Sequence, residues 1–251
     1  MSRTVVIDCF AESLDRYREG WAVIGVDVLR ATTTAVTAAA LGRRVFPVPD
    51  LERAVATAAL LPGALLAGEL GGRVPYGFEE NNSPAALDVR PDVHRPMVLL
   101  SSSGTRLVHE LGPREAVYAA CLRNVSAMVA HAAARHERVA VVGAGTRGEF
   151  REEDQLGCAW IAQGLVEQGF QAQQWTARII ERWRGAPGDA VARGASADYL
   201  RRSGQVSDLE FVLDHVDDLH EAYALRDGEL VVPEVPARPT ELPTPGEAAA
   251  H

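Results

Sequence analysis

Lysine is absent from this 251-residue sequence, in which all 25 residues counted as Lys+Arg are arginine. The absence excludes Schiff-base lysine chemistry and the lysine of a Walker phosphate loop. Basic residues are also outnumbered by 34 acidic ones, for a formal net charge of -9. This balance disfavours a broad surface that neutralises nucleic-acid phosphates, so we expect no nucleic-acid partner. Arginine still suits two-point binding of a phosphate or carboxylate, and small anionic substrates therefore remain open.

Cysteine is scarce and widely spaced. The three residues are Cys9, Cys121 and Cys158, without any C-x-x-C spacing, which argues against a disulfide framework or a zinc knuckle. No apolar run approaches the ~20 residues needed to span a bilayer, and the N-terminus lacks a signal-sequence pattern. We therefore predict a cytoplasmic protein with reduced thiols and no membrane partner. The sequence also lacks the H-E-x-x-H spacing of zinc hydrolases and the G-x-S-x-G elbow of acyl-transfer enzymes.

A strand-to-helix pattern recurs along the first two thirds of the chain. The apolar segment WAVIGVDV at 21–28 is followed at once by the helix-forming segment LRATTTAVTAAALG. The same order returns at 44–61, at 97–112 and at 138–169, and ALLAGEL at 64–70 is a further strand. Nearly continuous apolar strands are typical of sheets buried on both faces. We predict a three-layer α/β/α fold with a largely parallel or mixed central sheet.

The sequence after about Gln173 has a different pattern. Its segments 176–185, 189–204 and 207–225 are typical of helices, and no apolar strand is evident among them, so we predict a helical C-terminal section. Residues 234–251 are rich in proline and are expected to be extended or disordered. Residues 1–233 are therefore predicted to form one domain, or two tightly packed α/β lobes.

The segment DVLRATTT at 27–34 places an acid, an arginine and several hydroxyls where a strand ends and a helix begins. Ligands of open α/β sheets bind beyond the carboxyl ends of strands, and helix N-termini attract anions. Asp27, Arg30, Thr32 and Thr33 are therefore candidate site residues. The alternative is that a threonine simply caps the helix and Asp27 is a turn residue.

Two further loops follow apolar strands. SSSGT at 101–105 can form a nest of backbone N–H groups around an oxyanion, although it can equally be a structural turn capped by serine or threonine. Gly68 and Glu69 follow the apolar run that opens the ALLAGEL segment. In NNSP, Asn82 and Ser83 either bind substrate or prepare a helix that begins at Pro84.

The segment GAGTRG at 143–148 matches the G-x-G-x-x-G interval of dinucleotide-binding loops. It runs into the acidic residues 152–154, and no apolar strand ending in an acid follows ~20 residues later, as that reading requires. Acids at a helix start are ordinarily explained by the helix dipole. Together with Asp27 and Glu69, however, they could supply the oxygen ligands that Mg²⁺ prefers.

The ordered set of VDVLRATTT, AGE, NNSP, SSSGT and GAG with EED resembles the 2-phosphosulfolactate phosphatase family, to about Pro233. The resemblance implies an α/β, Mg²⁺-dependent phosphatase that acts on a small phosphorylated 2-hydroxy acid such as 2-phosphosulfolactate. Two positions depart from the family pattern. Ser103 stands where the family has Asn, and Glu79 stands where it has Asp. Neither departure disfavours the fold, but both leave the substrate open.

The resemblance and the loop positions together define a set of expected roles. Catalysis is assigned to Asp27, Arg30 and Glu69. Substrate binding is assigned to Arg30, Thr32, Thr33, Asn82, Ser83, Ser102, Ser103, Gly104 and Thr105. Mg²⁺ binding is assigned to Asp27, Glu69, Glu152, Glu153 and Asp154. The expected partner is a small phosphorylated organic acid, and the sequence is compatible with a homodimer. The alternatives are a nucleotide-dependent oxidoreductase and a non-catalytic anion-binding protein on the same scaffold.

Overall fold

A computed structural model describes residues 2–105, 116–145 and 149–234, and most strands form where the sequence is continuously apolar. The strands are β1 (Thr4–Asp8), β2 (Ala22–Val26), β3 (Val45–Val48), β4 (Leu65–Gly68), β5 (Met97–Leu100), β6 (Ala116–Ala120), β7 (Arg138–Gly143), β8 (Gln171–Ala172), β9 (Tyr223–Arg226) and β10 (Glu229–Val231). Three predicted features lie outside the described residues: the helix after SSSGT, Gly148 of the glycine run, and nearly all of the proline-rich tail.

Helices follow the strands in the order that the sequence pattern indicates. The α-helices are α1 (Ala31–Ala40), α2 (Leu51–Ala59), α3 (Pro84–Asp88), α4 (Val125–Arg135), α5 (Glu152–Glu167), α6 (Gln174–Trp183), α7 (Ala195–Arg202) and α8 (Val206–Asp214). Short 3₁₀ turns lie at Ala11–Arg16, Leu122–Asn124 and Gly188–Arg193. Within the described ranges, no helix is both long and apolar enough to cross a membrane.

All ten strands belong to one mixed sheet in the order β4-β5-β3-β10-β9-β6-β2-β7-β1-β8. β4, β5 and β3 are mutually parallel, and so are β6, β2, β7, β1 and β8. The β9–β10 hairpin joins these two groups through three antiparallel pairings. The strands of the two groups therefore run in opposite senses, and sheet twist adds about 20–25° per strand to their divergence.

Alternate residues of β5 and of β2 pack into cores on opposite faces of the sheet, as a period of two requires. Met97 and Leu99 join the core beneath α1, whereas Val98 and Leu100 join the core beneath α2. On the other half of the sheet, Ile24 packs in the core that contains residues of α4, α5 and α6. The predicted three-layer α/β/α fold with a mixed sheet is confirmed.

The prediction that the chain after Gln173 lacks strands is wrong. β9 and β10 lie near the centre of the sheet and are joined at Asp227 and Gly228, which have φ of 51° and 81°. Positive φ at both central positions is the geometry of a type I′ hairpin turn, for which Asp-Gly is a favoured sequence. The strands have only four and three residues, too few for their apolar pattern to stand out. The helix predicted over 207–225 accordingly ends at Asp214.

A histidine beneath the sheet should make stability depend on pH. The Nε2 atom of His131 lies 3.1 Å from the Tyr118 hydroxyl. Burial, followed by the positive charges of Arg135, His136 and Arg226, lowers the pKa of His131 from 6.5 to about 4. Between about pH 6.5 and pH 4, His131 is therefore protonated in the unfolded chain but neutral in the folded chain. The free energy of unfolding falls as pH decreases through this range.

We expect His131→Gln to make the decrease in unfolding free energy at low pH smaller by about 1 kcal/mol. This value is lower than the full pKa shift implies, because the ring is partly exposed to solvent. Thermal unfolding between pH 7 and pH 4 measures it, with exposed His220→Gln as the control. Identical pH profiles for wild type and His131→Gln would contradict the assignment.

Candidate active site

Asp27 lies directly after β2, in a buried loop. Hydrogen bonds of Asp27 to Thr32 and Ala31 fix the conformation of this loop. The Asp27 N–H donates to the Thr32 hydroxyl oxygen at 2.8 Å, and Asp27 Oδ1 accepts from the Ala31 N–H at 3.1 Å. Asp27 as a whole is 7% exposed. A Cβ atom added to Gly104 would lie 2.3 Å from Asp27 Oδ2. The loop after β5 therefore lies against the Asp27 carboxylate, although the two strands belong to oppositely directed groups.

The acids of the α5 N-terminus divide into one outward and two inward side chains. Glu152 is exposed and pairs with Arg182. Asp154 is buried, where Oδ1 accepts from the Val28 N–H at 2.8 Å and Oδ2 accepts from the Gly145 N–H at 3.3 Å. Glu153 is 2% exposed, and its Oε2 has no hydrogen-bond partner among the described residues. Three acids that look equivalent in sequence are thus placed in three different environments.

Mutual repulsion accompanies the burial of these carboxylates. The pKa of Asp27 is raised to about 7, chiefly by burial and also by the negative charges of Glu69 and Glu153. Burial likewise raises the pKa of Asp154 well above its usual value, with further contributions from Asp27 and Glu153. The pKa of Glu153 is raised by burial as well. Buried acids crowded in this way favour either protonation or a nearby cation.

Glu69 organises the serine loop through three of the four hydrogen bonds that its carboxylate accepts. Its Oε1 accepts from the Ser102 N–H at 2.7 Å and from the Ser101 hydroxyl at 3.2 Å. Its Oε2 accepts from the Gly72 N–H at 2.7 Å and from the Ser102 hydroxyl at 3.1 Å. Thr105 closes the same loop, because its hydroxyl accepts from the Ser101 N–H and donates to the Ser101 carbonyl. The Glu69 carboxylate therefore ties the β4 end to the β5 end.

Gly68 permits this contact because a side chain would not fit there. Its φ is 141°, and an added Cβ atom would lie 2.0 Å from the Leu100 carbonyl oxygen. The close approach of β4 and β5 at this point brings Glu69 under the serine loop. A glycine at this strand end is therefore a geometric requirement.

Ser102→Ala tests how far the loop depends on side-chain contacts. The change removes the hydroxyl that donates to Glu69 and accepts from the Gly71 N–H, but it keeps the Ser102 N–H bond. We expect a loss of about 0.5–1.5 kcal/mol of stability, measured by denaturant unfolding. Ser126→Ala, which removes an exposed hydroxyl bonded to Asp217, is the matched control. A loss above about 3 kcal/mol, which is twice the upper bound for a single hydrogen bond, would show that the loop depends on other contacts of Ser102.

The hydroxyl groups of Thr32 and Thr33 donate to backbone carbonyls of the protein. Thr32 Oγ1 lies 2.8 Å from the Asp27 carbonyl and 2.7 Å from the Ala120 carbonyl, and Thr33 donates to the Val28 carbonyl at 2.8 Å. Both are almost completely buried. These contacts hold the Asp27 loop, and the substrate-binding role assigned to Thr32 and Thr33 stays a prediction.

Arg30 and Ser83 meet at Asp208, a residue that the sequence argument did not single out. The Arg30 guanidinium forms a buried ion pair with Asp208, and the Ser83 hydroxyl donates to the same carboxylate. Ser83 also caps α3 by accepting from the Ala86 N–H, as the Ser-Pro pattern indicates. The adjacent Asn82 is 3% exposed, and its Oδ1 has no hydrogen-bond partner in the described part of the chain. An acid in the first turn of a helix is common, so sequence alone did not distinguish Asp208.

The glycine-rich turn after β7 supports the acids. The Gly145 N–H bonds to Asp154, and a Cβ atom added to Gly143 would lie 3.2 Å from Asp154 Cβ. α5 begins only at Glu152, so the helix does not open directly at the glycines. This differs from a dinucleotide-binding loop, in which the helix starts at the glycine turn.

The described residues contain no group of three His, Cys, Asp or Glu side chains placed to hold a metal ion by themselves. Mg²⁺ commonly takes one or two protein carboxylates and completes its shell with waters and substrate phosphate oxygens. Crowded Asp27, Asp154 and Glu153, with one unpaired carboxylate oxygen, fit that chemistry. The Glu69 carboxylate is instead occupied by four hydrogen bonds, and Glu152 faces outward in an ion pair with Arg182.

Comparison with known proteins identifies a consistent set of relatives. The family model described as 2-phosphosulpholactate phosphatase matches residues 10–219. A probable 2-phosphosulfolactate phosphatase of Deinococcus radiodurans is 35% identical over 198 residues, which cover 74% of this chain and 80% of the relative. The 2-phosphosulfolactate phosphatase of Methanothermobacter thermautotrophicus is 31% identical over 80% of this chain and 85% of its own length. A probable enzyme of Carboxydothermus hydrogenoformans is 30% identical over 85% and 91%.

Proposed function

This chain belongs to the 2-phosphosulfolactate phosphatase family of phosphoric monoester hydrolases, and from that premise we propose that it hydrolyses 2-phosphosulfolactate to sulfolactate and phosphate in a Mg²⁺-dependent reaction. The observation that carries the proposal is the contact of Gly104 with the Asp27 carboxylate. It brings the serine loop, with its backbone N–H groups, against the buried acids. Donors for substrate oxygens and acids for a cation therefore lie side by side.

The proposed division of roles follows from this arrangement. Asp27, Asp154 and Glu153 would hold Mg²⁺, directly or through water, while Glu69 holds the serine loop in place. Bound there, Mg²⁺ would offset negative charge on the phosphoryl group. Arg30 and the N–H groups of Ser103 and Gly104 bind substrate oxygens, which orients the ester for in-line displacement.

Hydrolysis then forms one bond to phosphorus and breaks another. The incoming oxygen, whether from water or first from a carboxylate, bonds to phosphorus as the bond to the 2-oxygen breaks. The leaving 2-oxygen takes up a proton and becomes the hydroxyl of sulfolactate, and water ultimately supplies the new oxygen of phosphate. Because the pKa of Asp27 is raised to about 7 in the absence of a cation, Mg²⁺ binding there would require release of a proton near neutral pH.

Phosphate release from 2-phosphosulfolactate tests the proposal. We expect turnover with MgCl₂, loss of turnover in EDTA, and recovery when Mg²⁺ is restored. A panel of other phosphorylated 2-hydroxy acids, including phospholactate, measures what the sulfonate contributes. Turnover undiminished by EDTA would overturn the metal assignment, and substrate binding without turnover would instead indicate an anion-binding protein.

A further inference from the structure

The ion pair between Arg30 and Asp208 is buried at the site, with side chains 6% and 2% exposed. Burying two charges carries a large desolvation penalty, and apolar residues of similar volume often stabilise a fold as well or better. A buried pair of this kind is therefore weak as a source of stability. The Arg30–Asp208 pair can instead fix the orientation of the planar Arg30 guanidinium, provided that other contacts hold the Asp208 carboxylate in place.

Asp208 is held by contacts on both carboxylate oxygens. Oδ2 pairs with Arg30, and Oδ1 accepts from the Ser83 hydroxyl and, at 3.3 Å, from the Ala85 N–H. One carboxylate thus joins the segment after β2, the start of α3 and helix α8. Both of the segments that it joins to α8 contain residues of the proposed substrate pocket.

Apolar packing sets the position of α8 independently of the ion pair. Leu209, next to Asp208 in α8, is buried in a small cluster with Ala197 and Leu200 of α7. Leu29, next to Arg30, packs against the same cluster. A second tie lies just before α8, where the Asn81 amide donates to Gln205 Oε1 at 2.8 Å. The C-terminal helices therefore hold residues 29–30 and 81–83 as one unit.

An unpaired acceptor lies beside this unit. Asn82, which lies between Asn81 and Ser83 in the sequence, is buried. Its Oδ1 has no hydrogen-bond partner within the described ranges. An unpaired buried polar atom is unfavourable, so a ligand or water that supplies a donor is favoured here. Asn82 therefore offers a free acceptor next in sequence to Ser83, whose hydroxyl bonds Asp208.

We propose that Asp208 is a positioning residue of the active site, which fixes the Arg30 guanidinium and the Ser83 hydroxyl in one arrangement for binding substrate oxygens. The proposal rests on the proposed phosphatase function, because it assigns Arg30 to substrate. Asp208 acts through Arg30 and contacts no reacting atom. A guanidinium free to rotate would lose its two-point geometry and bind the substrate more weakly.

Asp208→Asn tests this, because the amide keeps an oxygen for the Ser83 hydroxyl but loses the charge that holds Arg30. We expect KM for 2-phosphosulfolactate to rise about tenfold or more, with a smaller change in kcat. Asp218→Asn is the matched control, because it breaks the Arg123–Asp218 pair elsewhere on the C-terminal section. Its KM should stay within about twofold of wild type, in line with additivity for distant sites.

A double variant separates positioning from general destabilisation. Arg30→Gln with Asp208→Asn leaves no lone buried charge, so it remains informative if the single variant folds poorly. If Asp208 acts through Arg30, adding Asp208→Asn to Arg30→Gln should not raise KM further. Additive effects on KM, or an Asp208→Asn protein with the KM of the control, would overturn the proposal.

The dissociation constant of inorganic phosphate, measured by calorimetry with MgCl₂, distinguishes failure of this proposal from failure of the proposed function. A wild type that binds phosphate without hydrolysing 2-phosphosulfolactate contradicts the function, while weaker phosphate binding by Asp208→Asn still supports the positioning role. A wild type that neither binds nor hydrolyses counts against both.

Discussion

Replacing Asp27 by asparagine is expected to lower kcat/KM about a thousandfold while the protein stays folded. The amide preserves the shape of the side chain and the oxygen that accepts from the Ala31 N–H. It removes the buried charge that the proposed Mg²⁺ site needs. Because burial and neighbouring acids raise the pKa of Asp27 to about 7, the charged form is unfavourable in the fold, and its loss should leave Tm unchanged or higher at pH 8.

Phosphate-release kinetics and thermal unfolding of the same preparations measure the two effects together. Asp50→Asn is the matched control, because Asp50 also follows a strand but caps α2 through the Arg53 N–H. Asparagine caps helices as well as aspartate does, so this control should retain both activity and Tm. An Asp27→Asn enzyme with near wild-type kcat/KM would remove Asp27 from the site.

Gly104→Ala is expected to lower kcat/KM about a hundredfold, because it separates the two loops that form the site. The added methyl carbon would lie 2.3 Å from Asp27 Oδ2 and 2.5 Å from Ala31 Cβ. Neither neighbour is a flexible chain end, so the serine loop or the start of α1 must move. Overpacking of this kind typically costs about 1–3 kcal/mol, which thermal unfolding should detect.

Gly164→Ala is a control with a comparable clash. A Cβ atom there would lie 2.8 Å from a Val129 methyl group, between α4 and α5 and away from the acids. Its Tm should also fall, partly offset by the higher helix propensity of alanine, but kcat/KM should stay near the wild-type value. If both alanine variants lose activity equally, the loss reflects destabilisation and the contact of Gly104 with Asp27 is not specifically required.

Both predictions concern a contact that the sequence pattern could not locate. Loops at strand ends are expected to meet when the strands are parallel, because their carboxyl ends then share one edge of the sheet. β2 and β5 instead belong to groups that run in opposite senses, because the β9–β10 hairpin lies between them. Asp27 and the serine loop nevertheless meet, through the contact of Gly104 with Asp27 and Ala31.

Local pattern was informative where one segment determines its own structure. β2 and α1, β3 and α2, and β7 and α5 form close to the predicted positions, because apolar continuity and helix propensity act over a few residues. The hairpin was missed although Asp227 and Gly228 are a favourable turn pair, since its two strands are very short. Asp208 was missed because an acid in the first turn of α8 is equally expected on an exposed helix.

The α/β class, the family and the order of the polar loops could be predicted from the sequence, because these follow from composition, periodicity and motifs within single segments. Tertiary structure alone decided which of those loop residues meet. It turned Glu152 outward and Glu153 and Asp154 inward, bonded Glu69 to the serine loop, and brought Asp208 from α8 to Arg30. Such contacts depend on strand direction, twist and side-chain burial across distant segments, which no local pattern encodes.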